Sequence, residues 1–357
     1  MKRNSKIFIK RKKKATPTLP VADKGSFPDF MRKEIFTQPE LVNKFLEKYI
    51  TAGKINFDFL RIKIEKIRRA YIVGSGADYG CVLAGAYNFE VLVDIPCIPI
   101  LLSEFNFSNP ILDKNTLVII VSDNRNNEQY RQALKRIKES SASIIRILNF
   151  APENSLVVSL DLNEKGAIST SGYTLRYIAL SMLALYFGEK NQIITELYIK
   201  IATKMLESLS EKIKHVLEQE YVIRQMADKI NSENLLLVGA NVDFATAIYG
   251  AYALSFAFDK DVRAVPVGEL RLSKSKMENI IGFASNENFY DVLVKTVGDC
   301  IKIIPQNIED TDELSITYDD TIPLFNPVLS AVTIQLMAYD IAKKNNITLD
   351  KDKGSTD

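Results

Sequence analysis

The sequence predicts an α/β protein of two tandem units, each a parallel sheet flanked by helices. Two observations carry this expectation. First, the chain repeats itself: Val73-Gly74-Ser75-Gly76-Ala77-Asp78-Tyr79, closing with Gly85-Ala86-Tyr87, recurs as Val238-Gly239-Ala240-Asn241-Val242-Asp243-Phe244, closing with Gly250-Ala251-Tyr252. The offset of 165 residues is too long for a solenoid unit and suits a duplicated domain. Second, short apolar runs alternate with helix-like stretches, an order that demands crossover connections and hence parallel strands. A length of 357 residues agrees, because one hydrophobic core rarely organises so many.

The elements follow in order. Residues 1–25 read as a disordered basic leader, broken by Pro17 and Pro20. A first unit over 26–188 opens with helical pieces marked by Ile35, Leu41, Phe45 and Ile50. Ala70-Tyr71-Ile72-Val73 is a buried strand running into the loop at Gly74, and 79–91 is a helix. Pro99–Leu102, Leu117–Val121, Ile144–Leu148 and Ser155–Leu160 are further strands, with a helix from Asn127 to Glu139. Tyr173–Phe187 is apolar enough for a buried helix. Residues 189–232 form a helical connector with charge pairs such as Glu207–Lys212 and Lys212–Glu218. The second unit, 233–345, has strands at Leu235–Val238, Val265–Val267, Asn279–Phe283 and Cys300–Ile304, then a helix near 326–344. Residues 346–357 are a flexible tail.

Composition narrows the function. Hydrophobic content of 46% and charged content of 25% are those of an ordinary globular chain, and no apolar run reaches membrane-spanning length. Cys81, Cys97 and Cys300 are few, odd in number and widely spaced, which fits reduced thiols in a cytoplasm. No metal spacing is present, and His215 is the one histidine, so neither metal nor other cofactor is expected. The net charge of +2 includes eight basic residues within 1–20; without them the remainder carries −6. Such a leader suits anionic lipid or nucleic acid, but no aromatic residues interleave with its lysines. It reads as solvated, with neither nucleic acid nor membrane as partner.

Each repeat sets an apolar run against a small-residue turn and a helix, the local design of an anion-cradling loop. In the first copy two strand ends converge: Gly74-Ser75-Gly76-Ala77-Asp78 and Ser122-Asp123-Asn124-Arg125-Asn126-Asn127. Small residues let backbone amides approach an anion, and Arg125 offers a bidentate phosphate contact or simply a solvated side chain. Asp78 and Asp243 share one repeat position and suit N-caps of the following helices. Glu104 and Glu269 are each either a base facing a cleft or a carboxylate that caps a helix or bridges the two halves. His215, among Lys212, Lys214 and Glu218, reads as a surface residue.

The chain resembles a known group at Arg32-Lys33-Glu34-Ile35, Gln38-Pro39, Ser103-Glu104-Phe105 and Leu117-Val118-Ile119-Ile120-Val121-Ser122. Ile168-Ser169-Thr170, Gly268-Glu269-Leu270 and Pro327 through Gln335-Leu336-Met337-Ala338-Tyr339 extend the likeness over about 30–350. The group is the double sugar-isomerase (SIS) domain family, with the isomerase part of glutamine–fructose-6-phosphate aminotransferase and the fructosamine-6-phosphate deglycases. The resemblance implies two SIS-type domains, a homodimer, and a sugar-phosphate site at Gly74, Ser75, Gly76, Asp78, Ser122, Asn124, Arg125, Asn127, Ser169 and Thr170. It also exposes departures. Ala77 and Asp78 stand where the family has Thr and Ser, and Asn124 and Asn127 replace hydroxyl residues. The family's proton-shuttling carboxylate falls on Phe256 and its ring-opening histidine on Leu272, neither of which titrates. The Schiff-base lysine tail is replaced by Asp350 through Asp357; Lys351 and Lys353 are its lysines. The family's glutaminase domain, which precedes the repeats and needs an N-terminal cysteine, is not expected here. The expectation is therefore binding of a sugar phosphate or amino-sugar derivative, with aminotransferase-type isomerisation lost or strongly altered. One alternative is a fructosamine-phosphate deglycase or an aminosugar-phosphate isomerase or deaminase using Glu269 or Glu104. Another is a regulatory partner of an active SIS protein.

Overall fold

A computed structural model describes residues 23–122, 127–151, 156–272 and 279–350, with the side chains of Arg271 and Leu272 outside that description. The basic leader through residue 22, Asn124, Arg125, Lys351 and Lys353 also lie outside it.

Helix α1 (Phe30–Phe36) begins where the Asp29 carboxylate accepts from the Arg32 amide at 2.7 Å, and α2 (Gln38–Tyr49) has Pro39 in its first turn, where no amide is missed. A short hairpin, β1 (Ile50–Thr51) with β2 (Lys54–Ile55), leads into the first sheet. That unit runs β3 (Arg69–Gly74), α3 (Asp78–Val93), β4 (Cys97–Leu101), α4 (Leu102–Phe107), β5 (Thr116–Ser122), α5 (Glu128–Lys138), β6 (Ser143–Leu148), β7 (Val158–Ser159) and α6 (Ser171–Lys190). Helices α7 (Glu196–Glu218) and α8 (Glu220–Ala227) follow. The second unit runs β8 (Leu236–Gly239), α9 (Val242–Phe258), β9 (Arg263–Pro266), β10 (Ile280–Phe283), α10 (Glu287–Val297), β11 (Ile301–Pro305), β12 (Ser315–Tyr318) and α11 (Asn326–Lys344).

Both sheets have five parallel strands in matching order, β4-β3-β5-β6-β7 and β9-β8-β10-β11-β12. In each, the chain starts at the second position, steps outward once, then returns across the first strand. The point of reversal lies between β3 and β5 in the first sheet and between β8 and β10 in the second, where α/β sheets of this order take ligands. One core joins the units, formed by α3, α6, α9 and α11 with the inner sheet faces; α4 and α5 cover the far face of the first sheet, α10 that of the second. Helices α3 and α9 have no polar face because they are covered on nearly all sides, including by each other. Helix α5 is amphipathic instead, burying Tyr130, Ala133 and Ile137.

The structure corrects several local expectations. The strand expected over 155–160 is only Val158–Ser159, with 152–155 outside the described residues. Strand β12 was absent from the sequence reading. Lys212 donates to the Asp320 carbonyl at 2.7 Å, and the salt bridges described on α7 are Glu196–Lys200, Glu211–Lys214 and those of His215 rather than the expected pairs. His215 is half-exposed, 2.5 Å from an Asp319 oxygen that raises its pKa.

Candidate functional site

The first point of reversal is built from the turn after β3. Gly76 holds a φ of +56°, which a side chain disfavours, and the Asp78 amide donates back to the Ser75 carbonyl at 3.1 Å. That turn delivers the chain into the first turn of α3. Asp78 does not cap the helix: Ala77 is the cap residue and makes no side-chain bond. Instead the buried Asp78 carboxylate accepts from the Arg176 guanidinium at 2.9 Å. Arg176, on α6, is fully buried; the same nitrogen reaches Ser169 Oγ at 2.9 Å and the other bonds Asn149 Oδ1. An unpaired charge at such depth is strongly unfavourable, so the carboxylate is what makes it tolerable.

Glu164 extends this network. Its Oε1 accepts from the Thr170 amide (3.0 Å), the Gly172 amide (2.7 Å) and Ser171 Oγ (3.1 Å), while Oε2 accepts from Ser169 Oγ (3.0 Å). It therefore satisfies the donors at the start of α6. Of the expected site residues, the structure brings Gly74, Ser75, Gly76, Asp78 and Ser122 to the adjacent ends of β3 and β5, while Ser169 and Thr170 enter through the α6 terminus. Ser169 and Thr170 are engaged inside the protein, and the Thr170 carbonyl accepts from Gln335 Nε2 at 3.2 Å. Asn127 caps α5, accepting from the Gln129 and Tyr130 amides at 2.8 and 3.3 Å. Glu104 and Glu269 are exposed in short helices after the edge strands β4 and β9, one strand away from the points of reversal.

The second unit reaches into this region. Tyr249 of α9 stacks on Tyr173 of α6 with centroids 3.6 Å apart, and its hydroxyl donates to the Ser169 carbonyl at 2.8 Å. Tyr252, 47% exposed, stands beside Gly76, its hydroxyl 3.8 Å from where a Gly76 side chain would begin. Sequence reasoning passed over Arg176, Glu164 and Tyr252. The available signal was a lone arginine within an otherwise apolar helix, which requires a buried carboxylate somewhere in the fold.

The second point of reversal is made differently. A Cβ on Gly239 would lie 2.5 Å from the Asp243 carbonyl carbon, so only glycine allows the turn onto α9. Asn241 holds the positive φ there and caps α9 by accepting from the Val242 amide, so Asp243 is not the cap either. Asp243 is fully buried; its Oδ2 accepts from the Ser285 amide (2.8 Å) and hydroxyl (3.0 Å). Asn326 donates to the Ser285 carbonyl at 2.9 Å and accepts from the Thr321 amide and hydroxyl. With Ser285 and Asn326 each 1% exposed, protein groups fill this position. Asp243 Oδ1 has no described hydrogen-bond partner, and burial drives the carboxyl up to about 7 against the lowering effect of Ser285. Phe256 is half-buried against the shared core.

Other motif residues act in the scaffold. Glu34 accepts from the Gly166 amide at 2.9 Å, and Gln38 donates to Gln335 at 2.7 Å, tying the N-terminal helices to α11. The chain end also returns here, with the Ala167 amide donating to the Leu349 carbonyl at 3.0 Å. The three cysteines are free and buried, and burial raises each thiol's pKa. Among the described residues no helix is long and apolar enough to cross a membrane.

Paired five-stranded parallel sheets with tight turns at both points of reversal define an α/β protein of two similar units. Residues 63–186 match the family model of the SIS domain, so the first unit is a SIS domain. The chain is 27% identical over 355 residues to glutamine–fructose-6-phosphate aminotransferase [isomerizing] of Clostridium tetani, and 28% over 356 residues to that of Clostridium acetobutylicum. Each alignment takes in 92% of this chain and 58% of the relative, so the chain spans little more than half the length of those proteins. In fold it superposes on the C-terminal domain of glucosamine-fructose-6-phosphate aminotransferase from Francisella tularensis with a TM-score of 0.83 at 21% identity, covering 93% of this chain and 100% of that one. It also superposes on glucosamine-6-phosphate deaminase from Thermotoga maritima at a TM-score of 0.66 and 17% identity, covering 91% and 98%. The chain carries a SIS domain over residues 63–186.

Proposed function

We propose that the protein binds a sugar phosphate or amino-sugar derivative at the first point of reversal, and that aminotransferase-type isomerisation is lost or strongly altered. The observation that carries the reading is the contrast in access. The turn over 74–77 presents half-buried Ser75 and exposed Gly76 beside Tyr252, whereas Asp243, Ser285 and Asn326 are buried together at the equivalent place. A small-residue turn open to solvent and an aromatic wall are suited to hydroxyl and ring faces of a carbohydrate. Phe256 supports the second half of the proposal, since hydrocarbon stands where the resemblance sets a proton-shuttling carboxylate.

The test is a thermal-shift panel of free and phosphorylated hexoses and hexosamines on the whole chain. A true ligand at 100 times its dissociation constant adds about 2.7 kcal/mol. Gly76→Val is expected to abolish the shift by filling the turn and straining its backbone. Fructose 6-phosphate with ammonia is expected to give no glucosamine 6-phosphate; measurable product sinks the claim of altered chemistry. The same reading includes a homodimer, which sedimentation equilibrium checks.

A further inference from the structure

The segment joining β12 to α11, residues 319–325, is a strap fastened at each end by a group that gains or loses a proton. At its start Asp319 meets His215 Nδ1 of α7 at 2.5 Å, and Lys212 donates to the Asp320 carbonyl at 2.7 Å. Near its end the Tyr177 hydroxyl of α6 donates to the Leu324 carbonyl at 3.0 Å. Asn326 then accepts from the Thr321 amide and hydroxyl and donates to the Ser285 carbonyl, while Ser285 donates twice to Asp243. Within the strap the Phe325 and Asn326 amides turn back to the Ile322 carbonyl, so these attachments to the body run through side chains.

Both fastenings favour a bound proton. The Asp319 bond raises the His215 pKa against desolvation, and Glu211 and Glu218 add to it; Lys214 lies 3.4 Å from Glu211. Asp243 faces Ser285, Tyr177 and Tyr318, with no described cation acting on it, and burial drives it up to about 7. As pH rises, His215 loses the charge that holds Asp319. Asp243 gains a buried charge with no described partner for Oδ1. Each group thus stabilises the closed strap at low pH, and each contribution is lost as pH rises through its folded pKa.

We propose that this strap is a pH-operated latch, shut over the second turn in acid and loosened as pH rises, admitting water to Asp243. The inference is independent of the carbohydrate reading. Its basis is local: two proton-dependent contacts, on different helices, close one short segment without a strand or helix of its own.

The experiment is hydrogen exchange of the whole chain at pH 6 and 8.5, corrected for the intrinsic pH dependence of exchange. Protection of the Thr321, Phe325 and Asn326 amides is expected to fall by about tenfold or more, with the β5 amides unchanged. Asp243→Asn keeps an acceptor for Ser285 but cannot ionise, and is expected to retain more protection of the strap at pH 8.5. His215→Gln is expected to lower that protection at pH 6, and the double variant to lose the pH response. Equal protection of the strap at both pH values overturns the proposal, as does an equal fall in β5 or a double variant that still responds. Should Asp243→Asn not fold, His215→Gln decides: protection at pH 6 unchanged from wild type refutes the latch.

Discussion

Asp78 and Asp243 occupy one position in the repeat, one turn of backbone and one strand order, yet their surroundings differ. The first is balanced by a buried guanidinium; the second has only a serine amide and hydroxyl. The first site lies beside an exposed glycine turn, the second beneath Asn326 and Thr321. The matching strand order sets where each carboxylate sits, and the groups packed against the two differ. Arg176 from α6 pairs with the Asp78 carboxylate at 2.9 Å. Without a counterpart among the described groups, Asp243 becomes an acid that burial holds near neutrality.

That comparison can be broken most forcefully at Arg176. Arg176→Met strands the Asp78 carboxylate in the core and is expected to cost about 3–5 kcal/mol in urea unfolding. Adding Asp78→Ala should recover part of that loss, because the pair fails as a unit; simple additivity would refute the coupling.

Asp243→Asn has the next effect and depends on pH. The carboxyl titrates at about 7 in the folded chain, above its ordinary value of 3.8, so the folded state holds a proton that the unfolded state releases between those values. Stability from this group is therefore highest at low pH and declines as pH rises toward 7, by roughly 1.4 kcal/mol per unit at most. The variant should flatten this part of the profile between pH 5 and 7. Parallel profiles for variant and wild type would show that Asp243 does not titrate there.

The smallest contrast lies in the two turns. Gly76 and Asn241 both hold positive φ, +56° and +52°. Gly76→Asn introduces strain and should destabilise by about 1 kcal/mol, whereas Asn241→Gly relieves it, offset by the lost bond to Val242. Equilibrium unfolding of the pair should therefore give changes of opposite sign.

Much of the scaffold was legible in the chain. The long apolar helices came within a few residues of α3, α6 and α11, because runs such as Leu180–Phe187 are driven into the core of a globular fold. The resemblance also named Ser169 and Thr170, which the structure engages with Glu164 at the start of α6. Strand β12 escaped notice because Ser315-Ile316-Thr317-Tyr318 is four residues of mixed polarity whose pairing with β11 is non-local. Assigning Asp78 and Asp243 as N-caps failed for a related reason. A capping preference is local, while the partners Arg176 and Ser285 lie 98 and 42 residues away.

By itself, then, the sequence determined the duplication, the parallel α/β order and the glycine turns, all of which follow from periodicity and backbone sterics within a few residues. Only the tertiary structure decided which turn stays open, which carboxylate meets a buried cation and which face Tyr252 lines. Those outcomes depend on desolvation and on partners delivered by distant helices, and neither is encoded in local spacing.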